Sequence, residues 1–309
     1  MSKCLVTKLS GSSSNTALLK VGEMRIKFDK VSVPTLGTQG FGLSVNKPVT
    51  LQIIGDGYFT DDSFSENKGN TLILNPTDNH FVVSENTSEV AILDKYSLIR
   101  MRLDLDNFVN SAYYGNNRHL SIEDIKYSTG LIYVHLSTAQ VTGDISSLKN
   151  LTQLTDLHLA NTQVTGDISS LKNLTRLTIL SFSYTKVTGD IGSLKNLTQV
   201  KNLYFINCVL TGDLATLPAN CKYMVSGGDS VFTWSTRPSS SNIVAISGSF
   251  KVINLDKMLQ DLAQCKVGFT ENDAIGYKNI VVKGTRTSAS DAAVSTLQSK
   301  GYTVTIIPG

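Results

Sequence analysis

The chain has 309 residues, of which 41% are hydrophobic and 17% are charged, with a formal net charge of +3 at pH 7. This composition is typical of a globular chain of one to three domains with a sizeable core. The small net charge and the lack of a basic run argue against nucleic-acid binding. No apolar run reaches the length of a transmembrane helix.

Residues 1–97 are predicted to form a β-rich domain. Short β-like segments are separated by turn-forming clusters such as GDG from Gly55 and NPTDN from Asn75. The predicted strands are 18–28, 49–54, 71–74, 80–84 and 89–93. Their spacing indicates an antiparallel domain, sandwich-like or barrel-like. The first residues, MSKCLVTKLSGSSSN, lack the apolar segment of a signal peptide, so we expect a product that is not exported by the usual route or is already mature.

The opening stretch, CLVTKLSGSSSNTALLKVGEMRIKF from Cys4, resembles the N-termini of proteins from gut Bacteroidota and their tailed phages. Those proteins share this start and differ downstream. The resemblance implies that residues 1–97 are an attachment domain that joins other virion or surface-structure proteins. It implies a phage virion, as a tail or head fibre, or alternatively a bacterial cell surface or an extracellular location. A homo-oligomer, a trimer in a phage fibre, is part of the same expectation.

Residues 98–127 are predicted to lead into a solenoid. SLIRMRLDLD, from Ser97, alternates between apolar and polar residues and is predicted to be the first capping strand. LSIEDIKY places Ser121 at a helix N-cap with Asp124 three positions later, which is close to a capping box. We expect a short helix here that shields the open first repeat.

Residues 131–217 repeat with a period of 23. The complete units read LTQLTDLHLANTQVTGDISSLKN, LTRLTILSFSYTKVTGDIGSLKN and LTQVKNLYFINCVLTGDLATLPA, and a partial copy begins at Thr129. One aspartate and one leucine keep the register in every unit: Asp144, Asp167, Asp190 and Asp213, with Leu148, Leu171, Leu194 and Leu217.

This pattern resembles the leucine-rich repeat, and VTGDI is similar to the LxGxI signature of its plant-type subclass. The resemblance implies a mainly β fold with short helices, in which stacked units form a solenoid with a parallel sheet. Gly166 and its equivalents are expected at positive φ. The strands are predicted to centre near Leu136, Leu159, Phe182 and Phe205. Where the family has Asn or Cys, this chain has Ala139, Thr162, Thr185 and Cys208, so we expect a weaker ladder at the first unit.

After Leu217 the strict pattern ends but its rhythm persists. CKYMVSG around Met224, NIVAISG around Ala245, NIVVKGT (279–285) and YTVTIIP (302–308) are predicted strands. Helices are predicted over 255–265 and 288–301, the second with Ser288 or Ser290 as N-cap and Gly301 as its stop. We therefore expect residues 98–309 to be a solenoid with caps at both ends. The ending resembles the C-termini of repeat proteins from the same bacteria.

The outward residues of successive repeat strands line up in columns on the predicted concave face. The candidate ligand-binding residues are Tyr133, His135, Asp156, His158, Ile179, Ser181, Asn202 and Tyr204. Aromatic and amide groups contribute both area and hydrogen bonds in recognition. We predict a non-enzymatic binding or adhesion protein that recognises a protein or glycan on a cell surface, without a cofactor. In the alternative interpretation, the protein is a structural one whose N-terminal domain assembles oligomers, and the solenoid is only a spacer or decoration.

Other chemistry rests on two features. An enzyme or metal site would depend on His135 and His158 alone, beside Asp156 and Tyr133, and we interpret this group as a polar binding patch. The repeated aspartates form either a calcium ladder or a solvated row beside Lys149, Lys172 and Lys195, and the second is favoured. The GxSxG, HExxH, P-loop and GxGxxG motifs are absent. Cys4, Cys208, Cys221 and Cys265 match no zinc spacing; we expect Cys208 to be a buried thiol, and a Cys208–Cys221 disulfide stays open.

Overall fold

The computed structural model describes residues 23–28, 39–54, 59–60, 68–76, 78–83, 89–102, 118–242, 244–267 and 278–309. Residues 1–22, with Cys4 and most of the stretch that resembles Bacteroidota and phage proteins, lie outside the described residues, as does the predicted turn at Gly55. All statements below concern the described part of the chain.

The described residues form 22 strands and two α-helices. The first nine strands are β1 (Met24–Phe28), β2 (Gln39–Val45), β3 (Val49–Ile54), β4 (Phe59–Thr60), β5 (Thr71–Leu74), β6 (Asp78–Val83), β7 (Glu89–Ile92), β8 (Leu98–Arg102) and β9 (Arg118–Ser121). The repeat strands are β10 (Tyr133–His135), β11 (Gln140–Asp144), β12 (Asp156–His158), β13 (Gln163–Asp167), β14 (Ile179–Ser181), β15 (Lys186–Asp190), β16 (Asn202–Phe205) and β17 (Val209–Asp213). The C-terminal elements are β18 (Tyr223–Ser226), β19 (Val231–Thr233), β20 (Ala245–Val252), α1 (Leu255–Gln264), β21 (Asn279–Lys283), α2 (Asp291–Ser299) and β22 (Thr303–Ile307).

The N-terminal strands are antiparallel, as the sequence predicts. In one sheet β3 pairs with β5 and β7, and β7 pairs with β1. In the other, β2 pairs with β6 and β8, and β6 also pairs with β4. The predicted strands 49–54 and 71–74 are confirmed to the residue. Strands β2 and β4 were missed, because QGFGLSV carries two glycines, which weaken a strand pattern, and β4 has only two residues.

The strands of the solenoid form two parallel ladders, a front ladder and a back ladder, which share β20. The front ladder runs through β8, β10, β12, β14, β16, β18, β20, β21 and β22. Its register follows the repeat, with Val134, Leu157, Leu180 and Leu203 in one buried row. The predicted parallel sheet is therefore present. Its strands centre two residues earlier than predicted, because the chain already turns at left-handed residues such as Asn161 (φ 56°).

The back ladder was not predicted. It runs through β9, β11, β13, β15, β17, β19 and β20, and it is built from the VTGD segments that the sequence suggests only as turns. Thr142 pairs with Gln163, and Thr165 pairs with Lys186. The sequence separation within each pair is two positions shorter than the repeat length. Gly166 has φ 113°, which confirms the predicted positive φ, but this glycine lies within a strand.

Both N-terminal sheets continue into these ladders. Strand β8 pairs antiparallel with β2 and parallel with β10. Strand β9 pairs antiparallel with β1 and parallel with β11. The division into residues 1–97 and 98–309 stays a prediction, and among the described strands the pairing continues across residue 97 through β8.

Ser121 caps a 3-10 turn, Ile122–Ile125, by accepting the N–H of Glu123 at 3.3 Å, so the predicted N-cap is confirmed. This turn stacks on the equivalent turn of the next repeat, Ile145–Leu148, rather than closing the end of the solenoid. The edges of the first repeat are covered instead by β1 and β2, which pair with β9 and β8.

The residues at the position where the family has asparagine make different hydrogen bonds from one repeat to the next. The hydroxyls of Thr162 and Thr185 each donate at 2.6 Å to a carbonyl of their own turn, those of Leu159 and Phe182. Cys208 Sγ instead lies 3.1 Å from the Phe182 carbonyl of the previous repeat. The Thr185 hydroxyl also lies 3.6 Å from Cys208 Sγ, so these two side chains connect successive repeats.

The C-terminal elements follow the predicted rhythm. Strand β20 joins both ladders, since its start pairs with β18 and its end with β19. Helix α1 matches the predicted helix to within one residue. Helix α2 follows Ser290, whose side chain makes no capping hydrogen bond, and it ends at Ser299, two residues before Gly301, which has φ 84°. Strands β21 and β22 extend the front ladder, while α1 and α2 pack against each other. No helix among the described residues is both long and apolar enough to cross a bilayer.

A buried polar network holds this C-terminal end. Trp234 donates its indole N–H to Asp261 of α1 at 2.9 Å, and Asp261 also pairs with Lys257. The buried Arg237 guanidinium donates to the carbonyls of Leu217 at 2.9 Å and Pro218 at 3.1 Å. The network therefore ties the last repeat to the helical cap, with each buried polar group paired.

Cys208, Cys221 and Cys265 are free and buried. The expectation of a buried Cys208 thiol is confirmed, and the alternative of a Cys208–Cys221 disulfide is not realised. Burial raises the pKa of Cys221 to about 12. These thiols stay protonated near neutral pH and act as packing groups.

Candidate functional site

The outward side chains of the front ladder form what we call the front face, which the sequence predicts to be concave. Backbone register places the eight candidate residues in two adjacent rows on four neighbouring strands. The first row is Tyr133, Asp156, Ile179 and Asn202, and the second is His135, His158, Ser181 and Tyr204. The residues that the repeat pattern assigns to one column are therefore neighbours on adjacent strands. Their binding role stays a prediction.

Three aromatic rings cluster at the N-terminal side of the front face. A 3.0 Å hydrogen bond joins Tyr133 Oη to His135 Nδ1, and the rings of His135 and His158 lie 4.6 Å apart between centroids. The Tyr133 and His158 ring centroids lie 6.0 Å apart. Arg100 of β8, which the sequence did not single out, places its guanidinium 6.0 Å from the Tyr133 ring centroid. The cluster thus combines ring surface with cationic and hydrogen-bonding groups.

Asp156 is held by hydroxyl groups from two repeats. Its carboxylate accepts from Thr155 Oγ1 at 2.5 Å and from Thr178 Oγ1 at 3.3 Å. Thr155 and Thr178 are equivalent residues, and each hydroxyl also lies 3.2 Å from a carbonyl of the preceding repeat. The half-buried carboxylate therefore has a fixed orientation and retains acceptor capacity for a ligand.

A second aromatic group lies further along the front face. Tyr204 and Tyr223 meet edge to face with centroids 5.7 Å apart. Tyr223 pairs in register with Asn202, so it extends the first row, yet the sequence missed it because β18 lies beyond the strict repeat. Between the two aromatic groups lie the half-buried Ile179 and the buried Ser181. The front face therefore has one partly accessible aliphatic side chain between two groups of aromatic rings.

The aspartate row has a structural task that the sequence analysis missed. Each aspartate is the N-cap of a 3-10 turn, and its Oδ1 accepts a backbone N–H two residues later at 2.7–2.9 Å. The signal was present, since Asp is a preferred N-cap residue. Asp144, Asp167 and Asp190 are exposed and Asp213 is half-buried, which agrees with the predicted solvated row. Within the described residues, no group of three or more His, Cys, Asp or Glu is placed to hold a metal ion.

Comparison with known proteins gives structural matches only. No protein-family model and no curated protein matches the sequence. The leucine-rich-repeat ectodomain of the Arabidopsis thaliana receptor kinase GASSHO1/SCHENGEN3, solved with Casparian strip integrity factor 2, is similar at TM-score 0.40 and 17% identity, over 62% of this chain and 26% of that chain. The ectodomain of the Arabidopsis receptor kinase SOBIR1 is similar at TM-score 0.30 and 26% identity, over 37% of this chain and 62% of that chain.

The BIR2 ectodomain, also from Arabidopsis thaliana, has TM-score 0.30 and 24% identity, over 38% of this chain and 58% of that chain. The present chain thus spans less than two thirds of each of these proteins. At these scores, the assignment of a leucine-rich-repeat solenoid depends on the repeat register and strand pairing of the protein itself.

Proposed function

We propose that this protein is a non-enzymatic binding protein that recognises a protein or glycan through its front face. One observation carries the proposal: half-exposed aromatic side chains gather on an open face of the parallel sheet. Tyr133, His135, His158 and Tyr204 are all partly accessible and lie on three strands of one ladder. Aromatic side chains are enriched at recognition surfaces, because they supply large contact area at low entropic cost.

The setting of this activity is a second part of the proposal. We infer a phage virion, or alternatively a bacterial cell surface, in which residues 1–97 attach the protein to other components and can assemble a trimer. This part rests on the resemblance of the opening stretch alone.

The alternative function is a spacer. The observation that favours it is the continuity of both N-terminal sheets with the two ladders, through β8 and β9. A sheet that is hydrogen-bonded from end to end resists bending between its parts, which suits a rod that holds other components apart.

The test uses the fluorescently labelled full chain and intact cells of several Bacteroidota strains, with binding read by flow cytometry. The front-face variant Tyr133→Ala/Tyr204→Ala should bind about tenfold more weakly, because truncation of central aromatic residues removes most contact energy. The control variant Lys149→Ala/Lys172→Ala changes exposed residues that follow the 3-10 turns and should bind normally. If the front-face variant bound cells as well as the control variant does, the spacer function would be favoured. If the full chain bound none of the strains, a ligand on the cell surface would be contradicted.

A further inference from the structure

The front face contains a frame of six residues with distinct chemistry. On β12, β14 and β16 the first row is Asp156, Ile179 and Asn202, and the second row is His158, Ser181 and Tyr204. The corners carry a carboxylate, an amide and two aromatic rings, and the centre carries the half-buried Ile179 and the buried Ser181. The outer strands are two sheet spacings apart, about 9.6 Å, and the rows are about 6.6 Å apart along the strands.

The corner groups match the two chemical surfaces of a sugar ring. A pyranose has an apolar C–H face, which packs on aromatic rings, and a rim of hydroxyl groups, which both donate and accept hydrogen bonds. Here Tyr204 and His158 provide aromatic surface. Asp156 accepts from hydroxyls, and Asn202 both donates and accepts. At the centre, the half-buried Ile179 offers aliphatic surface to the ring, and Ser181 beside it is buried.

The carboxylate in the frame is already oriented. The Asp156 carboxylate accepts one hydrogen bond from the Thr155 hydroxyl of its own repeat and one from the Thr178 hydroxyl of the next repeat. Fixing a polar group before binding lowers the entropic cost of recognition. A carboxylate that only positioned the backbone would need no aromatic partners on the same face.

The charge of the frame selects among sugars. Asp156 carries a negative charge, and the cationic Arg100 lies on β8, two strands before Asp156 in the ladder. An acidic sugar would bring its own carboxylate close to Asp156, and like charges at short range are unfavourable. A neutral sugar avoids this repulsion and offers donors to the carboxylate.

We propose that this frame binds one neutral pyranose ring of a glycan. This inference rests on the proposed function and specifies its ligand. Tyr204 stacks on the C–H face of the sugar, and Asp156 and Asn202 bind its rim hydroxyls. A protein ligand is the competing outcome of the test.

The test is saturation-transfer NMR on the full chain with the methyl glycosides of glucose, galactose, mannose and N-acetylglucosamine, and with glucuronic acid as the charged counterpart of glucose. We expect transfer to at least one neutral sugar and none to glucuronic acid. Tyr204→Ala and Asp156→Asn should each weaken binding about tenfold, whereas Tyr204→Phe, which keeps the ring, should bind within about twofold. Tyr127→Ala changes an exposed tyrosine outside the frame and should bind normally.

Three results would overturn the inference. Front-face-dependent binding to cells without transfer to any neutral sugar would leave the proposed function intact and point to a protein ligand. Sugar binding that survives both Tyr204→Ala and Asp156→Asn would place the site elsewhere. Equal binding of glucuronic acid and glucose would contradict the selection by Asp156. Failure of the proposed function is separate, since it would appear as front-face-independent binding to cells.

Discussion

Asp144 of one repeat lies directly against Gly166 of the next, so that a Cβ atom on Gly166 would stand 2.5 Å from Asp144 Oδ1. The same carboxylate oxygen accepts the N–H of Ser146 at 2.7 Å. Gly166 has φ 113°, which side chains rarely tolerate. One glycine per repeat therefore meets two demands, a backbone conformation and room for the N-cap of the neighbouring repeat.

Gly166→Ala should lower the free energy of unfolding by about 1–3 kcal/mol, because it adds backbone strain and displaces the Asp144 cap. Gly69→Ala is the control: Gly69 also has positive φ (78°), but a Cβ there has nothing within 4 Å. Urea denaturation measures the loss of unfolding free energy in each variant, and the difference between the two losses is the contribution of steric crowding against Asp144. Equal losses would mean that the contact with Asp144 adds nothing.

Leu157→Ala should lower the free energy of unfolding by about 2–5 kcal/mol, since it opens a cavity in a fully buried row. Leu157 pairs with Val134 on one side and with Leu180 on the other. Thr155→Ala is the control: it removes the hydroxyl that bonds Asp156 and the Ile132 carbonyl but opens no cavity in the core, and it should cost about 1 kcal/mol. Similar losses for both substitutions would contradict the register.

Asp167→Ala should cost about 1 kcal/mol at neutral pH through loss of the N-cap. Hydrogen bonds from the Ser169 hydroxyl and N–H lower the pKa of Asp167 in the folded protein. The stabilisation is therefore present above the unfolded-state pKa of about 3.9 and is lost as the pH falls through the lower folded-state value. The difference in unfolding free energy between wild type and Asp167→Ala should therefore shrink as the pH falls below the unfolded-state pKa of about 3.9. Asp229→Ala, in the exposed turn before β19, should show little effect at either pH.

Arg237→Met should lower the free energy of unfolding by about 3 kcal/mol or more, since it leaves buried carbonyls of Leu217 and Pro218 without their donor. Arg176→Met is matched in chemistry but changes an exposed guanidinium that bonds the Gln153 side chain. Hydrogen exchange should show the loss concentrated in α1 and β20. A uniform loss along the chain, or equal losses for the two arginines, would argue against a local role of Arg237 in the cap.

A chain of residues 98–309 should self-associate or unfold, because β8 and β9 lose β2 and β1 and present open strand edges. Light scattering after size-exclusion chromatography measures this. A chain of residues 23–309 keeps both covering strands and should behave as the full chain does. The sequence analysis favours the opposite outcome, a solenoid closed by its own Ser121 turn, and a monomeric, stable 98–309 chain would support that view.

The repeat pattern alone determined the solenoid, its parallel front ladder and its buried leucine rows. Alternation at Leu157 and Leu159 specifies which side chains are inside, and a constant period specifies which residues become neighbours in successive units. For that reason the adjacency of His135 and His158 followed from the sequence. Gly301 likewise marked the C-terminal end of α2, because a glycine at positive φ is a local signal that ends a helix.

Only the tertiary structure decided how segments outside the repeat join it. The pairing of Leu43 with Met101, which continues the N-terminal sheet into the front ladder, links residues that share no period. Arg100 and Tyr223 reach the front face through β8 and β18 in the same way. The back ladder depends on hydrogen bonds between VTGD segments that carry no distinctive alternation. Local periodicity encodes which face a residue shows, whereas strand partners are chosen by long-range packing, which a single segment does not record.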